Sequence, residues 1–484
     1  MENVWQNKKK VVILQAESAV SIVEKEISNI YLIMNTIKIR RGLDIKIGGK
    51  AKESIYGTVL SKTIGIVPDD YVGFTPKIAV KEGDEVKVGS TILYDKNHPS
   101  VKVLSPVAGR VKSVERGERR KLEKVVIERG DGHEQYEELP RLEAMNDPEE
   151  TAKALAELGF ATLMRQRPYD IVVNPEVLPR AIFVSAFDSA PLAADYDFVL
   201  KDRINDIQAG LKVLAKIAKV YYSVRKDTYE GLKRMSGVTV SEFDGPHPAG
   251  NVGVQINHIA PVNKGETVWT VGMMTVAMIG HYAVAGELEM KNTIAVAGPM
   301  VKEPRYVEAY FGTEIGTILK DNVIEDEHVR IINGNVLTGR QASVDDYLSP
   351  MANCVNVIAE GDHEDELFGW MRPRFRKYSA SRLYCSWILE KICPKMTFKF
   401  DARMLGSERA FIMSGEYDKV FPMDILPEPL VKAMIAKNID RMEQLGAYEV
   451  APEDFALCEF VCTSKIQTQK IVREALDYLR KEVE

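Results

Sequence analysis

Between residues 71 and 130, apolar and polar positions alternate in short runs, "PKIAVKEGDEVKVGSTILYD", "SVKVLSPVAGRVKSV" and "KLEKVVIERG", each closed by Gly, Pro or Asp turns. Period-two alternation broken at these intervals predicts a small all-β sandwich or barrel with its charged side chains in water. An acidic linker, "DGHEQYEELPRLEAMNDPEE", follows, and beyond it the period changes. "DPEETAKALAELG" opens with Asp and Pro and closes with Gly159, the signature of a capped helix. "RAIFVSAF", "KVYYSVRK" and "VTVSEF" then read as buried strands, with "NDIQAGLKVLAKIA" and "DTYEGLKRMSG" as the helices between them. Strand and helix in alternation predict a parallel sheet covered on both faces. Residues 291–341 have the size of a β-grasp unit, and from about 343 the pattern is helical to "QKIVREALDYLRKEVE".

The least polar stretch, residues 268–286, carries no Asp, Glu, Lys or Arg and is nearly long enough to span a bilayer. Gly272, Thr275, Gly280 and His281 dilute it, so it is read as a buried helix with His281 as a satisfied core histidine, and no transmembrane segment is expected. At the N-terminus, Lys8, Lys9 and Lys10 precede only four apolar residues before Gln15, too few for the apolar region of an export signal. Strand-like alternation begins at Met34, which reads as a natural start, with residues 1–33 as an extension. The expected units are thus the extension at 1–33, a β module at 34–143, an α/β domain at 144–288, a β-grasp unit at 289–343 and a helical domain at 344–484.

Composition narrows the function classes. A chain of 484 residues exceeds what one core supports, and 45% hydrophobic with 28% charged residues is ordinary for a globular α+β multidomain protein. A net charge of −6 offers no overall basic field for nucleic acid. The five cysteines, Cys354, Cys385, Cys393, Cys458 and Cys462, are too few and too lopsided for a disulfide framework and point to the reducing cytoplasm.

The candidate chemistry is mostly a set of near misses. In the β module, "VKEGDEVKVGSTI" and "VLSPVAGRV" carry turn motifs that resemble the biotinyl/lipoyl-type barrel-sandwich hybrid. Where arm-carrying modules place a lysine, counting back from Ser105 lands on His98, and Lys96 is out of register, so no covalent arm is expected. The α/β domain has no G-x-G-x-x-G and no P-loop. Its local candidate, "LGFATLMRQRPYD" at 158–170, has one glycine where a flavin-type loop needs several, so side chains stand where phosphate must meet backbone N–H groups. "FDGPHPAGNVGVQINHIAPV" could place His247 and His258 in a pocket, although loop histidines are more often structural, and no further ligands have zinc spacing. No nucleophile elbow or singular carboxylate pair stands out among 70 acidic residues. "CEFVC" holds Cys458 and Cys462 at the spacing of the last two ligands of a C-x2-C-x2-C-x3-C cluster loop, but the preceding ligand positions hold Pro452 and Phe455. No metal or iron-sulfur centre is expected from the pair alone.

In this order, "IKIRRGLDIKIGGK" at 37–50, "GPHPAGNVG" at 245–253, "VAGPMVKEPR" at 296–305, "INGNVLTGR" at 332–340 and "CEFVC" at 458–462 carry a specific likeness. From about Met34 onward the chain resembles the A subunits of sodium-translocating NADH:quinone oxidoreductases. These are in turn similar to the flavin- and cluster-bearing subunit of respiratory complex I and to the C subunit of the Rnf complex. The resemblance implies a barrel-sandwich hybrid, a Rossmann-like domain with a degenerate flavin loop, an SLBB-like β-grasp unit and a degenerate ferredoxin-type helical domain. One departure is Thr463, where cluster-bearing relatives place proline. It also implies a peripheral subunit on the cytoplasmic face of the membrane, within a six-subunit complex and beside a membrane-embedded B subunit. That complex uses NADH, flavins, an iron-sulfur centre and quinone to export sodium; this chain would hold no cofactor and be associated with quinone. Phe160, Met164, His247 and His258 are the quinone-pocket candidates, being apolar or donor side chains near the altered loops. The alternative is a pure scaffold with no ligand site.

Overall fold

The computed structural model describes residues 36–130, 132, 135–143, 145–324, 328–362, 374, 375 and 377–483. The proposed start at Met34 and the extension before it lie outside the described residues.

The alternating runs of the β module form two small antiparallel sheets. Four strands lie in the order Thr63–Ile66, Leu122–Arg129, Gly109–Arg116 and Glu85–Val86, and three in the order Pro76–Ile78, Thr91–Asp95 and Lys102–Leu104. Ile64, Ile92, Leu93, Val107, Val111, Val125 and Ile127 fill the space between them and are at most 1% exposed, as the period-two pattern requires. His98 sits in the turn between Thr91–Asp95 and Lys102–Leu104, its ring 3.4 Å from Glu176.

The α/β domain is built on a seven-stranded sheet. Its spatial order is Thr36–Lys38, Thr239–Asp244, Lys219–Arg225, Ala181–Ser185, Val268–Gly272, Met164–Arg167 and Ile171–Val172. The first five are mutually parallel, and Met164–Arg167 runs antiparallel to both of its neighbours. Asp147 caps the Pro148–Glu157 helix, its carboxylate accepting from Glu150 N at 3.0 Å, and Gly159 ends it with φ 79°. Helices Ile204–Ala215 and Met273–Ala285 cross so closely that a Cβ on Gly210 would lie 2.0 Å from Val276 O and one on Gly280 1.7 Å from Asp206 O. The crossing therefore admits no side chain at either glycine.

Strand pairing crosses two of the expected boundaries, and two element expectations change. Strand pairing carries residues 36–59 away from the two sheets of the β module: Thr36–Lys38 completes the α/β sheet, and Ile55–Val59 pairs in parallel with Arg305–Tyr310 of the next unit. The sheet of the third unit draws on residues beyond 343: Cys354–Ala359 lies between Lys291–Ala297 and Val329–Asn333 in its six strands. The apolar stretch 268–286 is a strand followed by a helix, Gly272 breaking the two; its His281 is partly exposed, 3.6 Å from Asp206. "DTYEGLKRMSG" keeps only one helical turn, Glu230–Lys233. In the first two cases strand pairing joins segments that the local pattern does not connect.

The C-terminal region holds helices Ser386–Ile392, Pro427–Ile435, Ile439–Gln444, Ala456–Val461 and Thr468–Val483. The last buries Val472, Ala475, Leu476 and Leu479, one stripe of a 3.6-residue period. That stripe joins a core that also contains Ile39, Ile45, Ile47 and Phe243, so the N-terminal strand segment and the C-terminal helices stabilise each other. No helix of the described residues is long and apolar enough to cross a membrane.

Candidate functional site

Open parallel sheets bind ligands at the carboxyl ends of their strands, where the strand order reverses. Here that point lies between Ala181–Ser185 and Val268–Gly272, and the chain's own side chains occupy the neighbourhood. Ser189 Oγ accepts from Gly250 N at 2.8 Å and lies 2.9 Å from His247 Nδ1, while His247 N donates to Asp44 Oδ1 at 2.9 Å. Burial pushes the His247 imidazole down to about 4, so it is neutral near pH 7 and can accept from Ser189. Gln255 Nε2 donates to Ser185 Oγ at 2.8 Å. Asp188 accepts from Ala190 N and from Asn353 Nδ2 at 2.7 Å, its carboxyl pushed up by burial.

The N-terminus of helix Val252–Ile259, where an anion would be favoured, faces a carboxylate supplied by the chain. A Cβ on Gly253 would lie 2.4 and 2.5 Å from the two oxygens of Asp454, so only glycine allows the approach. Asp454 Oδ2 accepts from Ala451 N at 2.8 Å and from Arg167 Nη1 at 3.0 Å. The two side chains are 0% and 1% exposed. Burial opposes the charge on Arg167, but Asp454, Asp170 and Glu453 outweigh it and raise the guanidinium further. Arg473 donates to the carbonyls of Tyr169 and Asp170, binding the same turn to the last helix.

The loop at 158–170, the candidate for a flavin phosphate, is closed as well. Phe160 and Met164 are buried in the core shared by the β module and the α/β domain, Phe160 edge-on to Tyr282 at 6.3 Å. Beside Gly159, Thr162 and Leu163 the remaining cavity is about 20 Å³, space for a single water. A flavin phosphate does not fit this arrangement.

Nor do the thiols fit a cluster. Cys458 and Cys462 are buried on and just after helix Ala456–Val461. Cys462 Sγ accepts from Tyr417 OH at 3.1 Å and Ile466 N at 3.4 Å. Burial, then the neighbouring Cys462, pushes the Cys458 thiol well up. Phe455, where the cluster spacing would need a ligand, packs on Phe421 with ring centroids 5.0 Å apart. Among the described residues no group of three or more His, Cys, Asp or Glu could hold a metal ion. On the far side of Cys462, however, a cavity of about 990 Å³ opens between residues 377–405 and 459–467.

The four quinone-pocket candidates are not brought to one place. Phe160 and Met164 share a core, His247 belongs to the Ser189 and Asp44 network, and His258 is exposed, its Nδ1 2.8 Å from Val254 O in its own helix. None of them lines the cavity beside Cys462. Sequence reading missed Arg167 and Asp454. The available signal was an arginine inside a strand otherwise destined for burial, and a glycine one residue into a helix.

The architecture is that of a multidomain α+β protein whose ligand edge is filled by its own charged and polar side chains. Three family models match it in chain order: the NqrA N-terminal barrel-sandwich hybrid domain over residues 37–130, the NqrA second alpha/beta domain over 146–288, and the NQRA C-terminal domain, an SLBB unit, over 293–344. The chain is 36% identical to the A subunit of the Na(+)-translocating NADH-quinone reductase of Rhodopirellula baltica, over 92% of its own length and 98% of that protein. It is also 36% identical to the A subunit from Hahella chejuensis and 35% to that from Neisseria meningitidis serogroup A, in each case over 92% of its length and all of the relative. The chain belongs to the family of Na(+)-translocating NADH-quinone reductase A subunits.

Proposed function

We propose that the chain is the peripheral A subunit of a complex that couples NADH oxidation and quinone reduction to sodium export. The observation that carries this reading is the match at 36% identity across essentially the whole of its relatives. In this reading it sits on the cytoplasmic face of the membrane beside the membrane-embedded B subunit. Its α/β domain is a Rossmann-like fold and its helical region a ferredoxin-type fold, both without electron carriers. The filled helix N-terminus at Gly253 and the phenylalanine at a ligand position favour a chain that holds no flavin or cluster. Its part in the reaction is then to help seat quinone, with Phe160, Met164, His247 and His258 as candidates.

A deletion strain tests the reading. Membranes without the chain should lose sodium-stimulated NADH:quinone reduction, and re-expression should restore it. A purified chain whose flavin or iron-sulfur absorbance tracks it one to one would overturn the cofactor-free role. The closed packing of Phe160 and Met164 favours a second reading, a scaffold with no ligand site. Titration of the intact complex with a water-soluble quinone separates the two, since only the first reading has Met164→Ala weaken quinone binding while the complex stays assembled.

A further inference from the structure

The cavity beside Cys462 differs from the rest of the surface in three ways. Its floor is aromatic: Tyr378 lies 5.4 Å from Phe400 and 6.2 Å from Phe460 between ring centroids, which ties residues 377–400 to the helix of the thiol pair. Its rim is apolar and exposed, Leu383 at 60%, Met404 at 53% and Leu405 at 57%. Apolar side chains exposed together around a concavity mark an interaction site more often than isolated ones do.

The third difference is charge. Six cationic side chains line the cavity against three carboxylates, in a chain whose net charge is −6. All three carboxylates are already engaged within the chain. Asp401 holds Arg403 at 2.7 Å and Lys377 at 3.6 Å, Glu416 holds Lys419 at 2.6 Å, and Glu459 accepts from Gln469 N at 3.0 Å. Arg382, Lys399 and Lys465 have no carboxylate within ion-pair distance among the described residues. Cations left unpaired beside exposed aliphatic and aromatic surface suit an occupant bearing both carboxylates and apolar side chains.

We infer that this cavity is the docking groove for an acidic, apolar-anchored segment of a partner polypeptide. Its volume, about 990 Å³, stands at the upper limit of small-ligand sites, and it is open to solvent, so a compact ligand would stay largely exposed there. An anionic bilayer would supply the charge, but a lipid surface is met by a flat or convex amphipathic face, whereas this apolar rim encloses a hollow. A peptide strand laid along it places apolar side chains against Leu383 and Leu405 and carboxylates toward Lys399 and Lys465. The inference rests on the reading of the chain as one component of a larger complex.

Site-specific photo-crosslinking in the intact complex tests it. Leu383→p-benzoylphenylalanine and Leu405→p-benzoylphenylalanine chains are expressed in the native host, irradiated and purified, and the crosslinked peptides are identified by mass spectrometry. The expected result is a crosslink from both positions to one partner segment rich in Asp or Glu and apolar residues. The added change Lys399→Glu with Lys465→Glu should lower its yield roughly tenfold, with an unchanged circular dichroism melt. Crosslinks to lipid, to a basic segment, or to nothing in a complex that co-purifies intact overturn the groove and leave the family function standing. A chain that purifies without membrane partners overturns the membrane-complex reading and the groove together.

Discussion

The carboxyl edge of the parallel sheet and the flank of Cys462 stand where the resemblance places a flavin phosphate and a cluster, yet they are constructed in opposite ways. The sheet edge is occupied from within: Asp454 takes the anion position at Gly253, Arg167 neutralises it, and Ser189 and His247 pair with each other. At Cys462 the inner side is sealed by Tyr417 and the phenylalanines, while the outer side keeps a wide cavity with unpaired cations. A buried charge without a partner costs several kcal/mol, so an interior site must be filled once its ligand is absent. A solvated rim carries no such penalty and can remain open for an external partner.

The sharpest way to break this contrast is to empty the sealed edge. Asp454→Ala takes the nearer carboxylate from the buried guanidinium of Arg167, leaving Glu453 at 3.4 Å, and should cost about 3 kcal/mol, read as a shift in the urea midpoint. The double change Arg167→Met with Asp454→Leu should recover much of that loss, because neither charge remains to be solvated. A second probe is Gly253→Ala, whose new methyl would overlap the Asp454 carboxylate. We expect a loss of up to about 3 kcal/mol. Combined with Asp454→Ala, the two losses should add to less than their sum, since the clash disappears with the carboxylate.

How much of this was legible in the sequence follows the range of the forces involved. The barrel was readable because period two is a local signal, even where the pairing is not, as for Thr63–Ile66 with Leu122–Arg129. The capped helix at Asp147 was readable for the same reason. The pairing of Thr36–Lys38 with the α/β sheet and of Ile55–Val59 with the third unit was not legible, because their partners lie far along the chain, Glu242 being the register partner of Thr36. At the site, the missing glycines and thiols were visible as absences. What replaced them was not, since the pairing of Arg167 with Asp454 spans 287 positions and no spacing rule reaches that far.

Within the sealed edge, His247 gives a pH-dependent test of intermediate size. Burial holds its folded value near 4 against an ordinary 6.5, so below pH 6.5 the unfolded chain binds a proton that the folded chain refuses. Its contribution is complete above about pH 6.5 and is lost as the pH falls toward 4, amounting to about 2 kcal/mol by pH 5. His247→Gln should flatten that part of the stability profile between pH 8 and pH 5.

The smallest effect is expected at the open flank, and there smallness is the point. Leu405→Ser and Lys399→Ala alter exposed side chains with no burial to lose, so the isolated chain should unfold within about 0.5 kcal/mol of the parent. If the rim instead served to close the C-terminal domain on itself, Leu405→Ser would lower the urea midpoint as a core change does. A stability unmoved by both changes, with weaker retention of the chain on its membranes at about 0.15 M salt, would assign these residues to an encounter with a partner and leave the fold to Arg167 and Asp454.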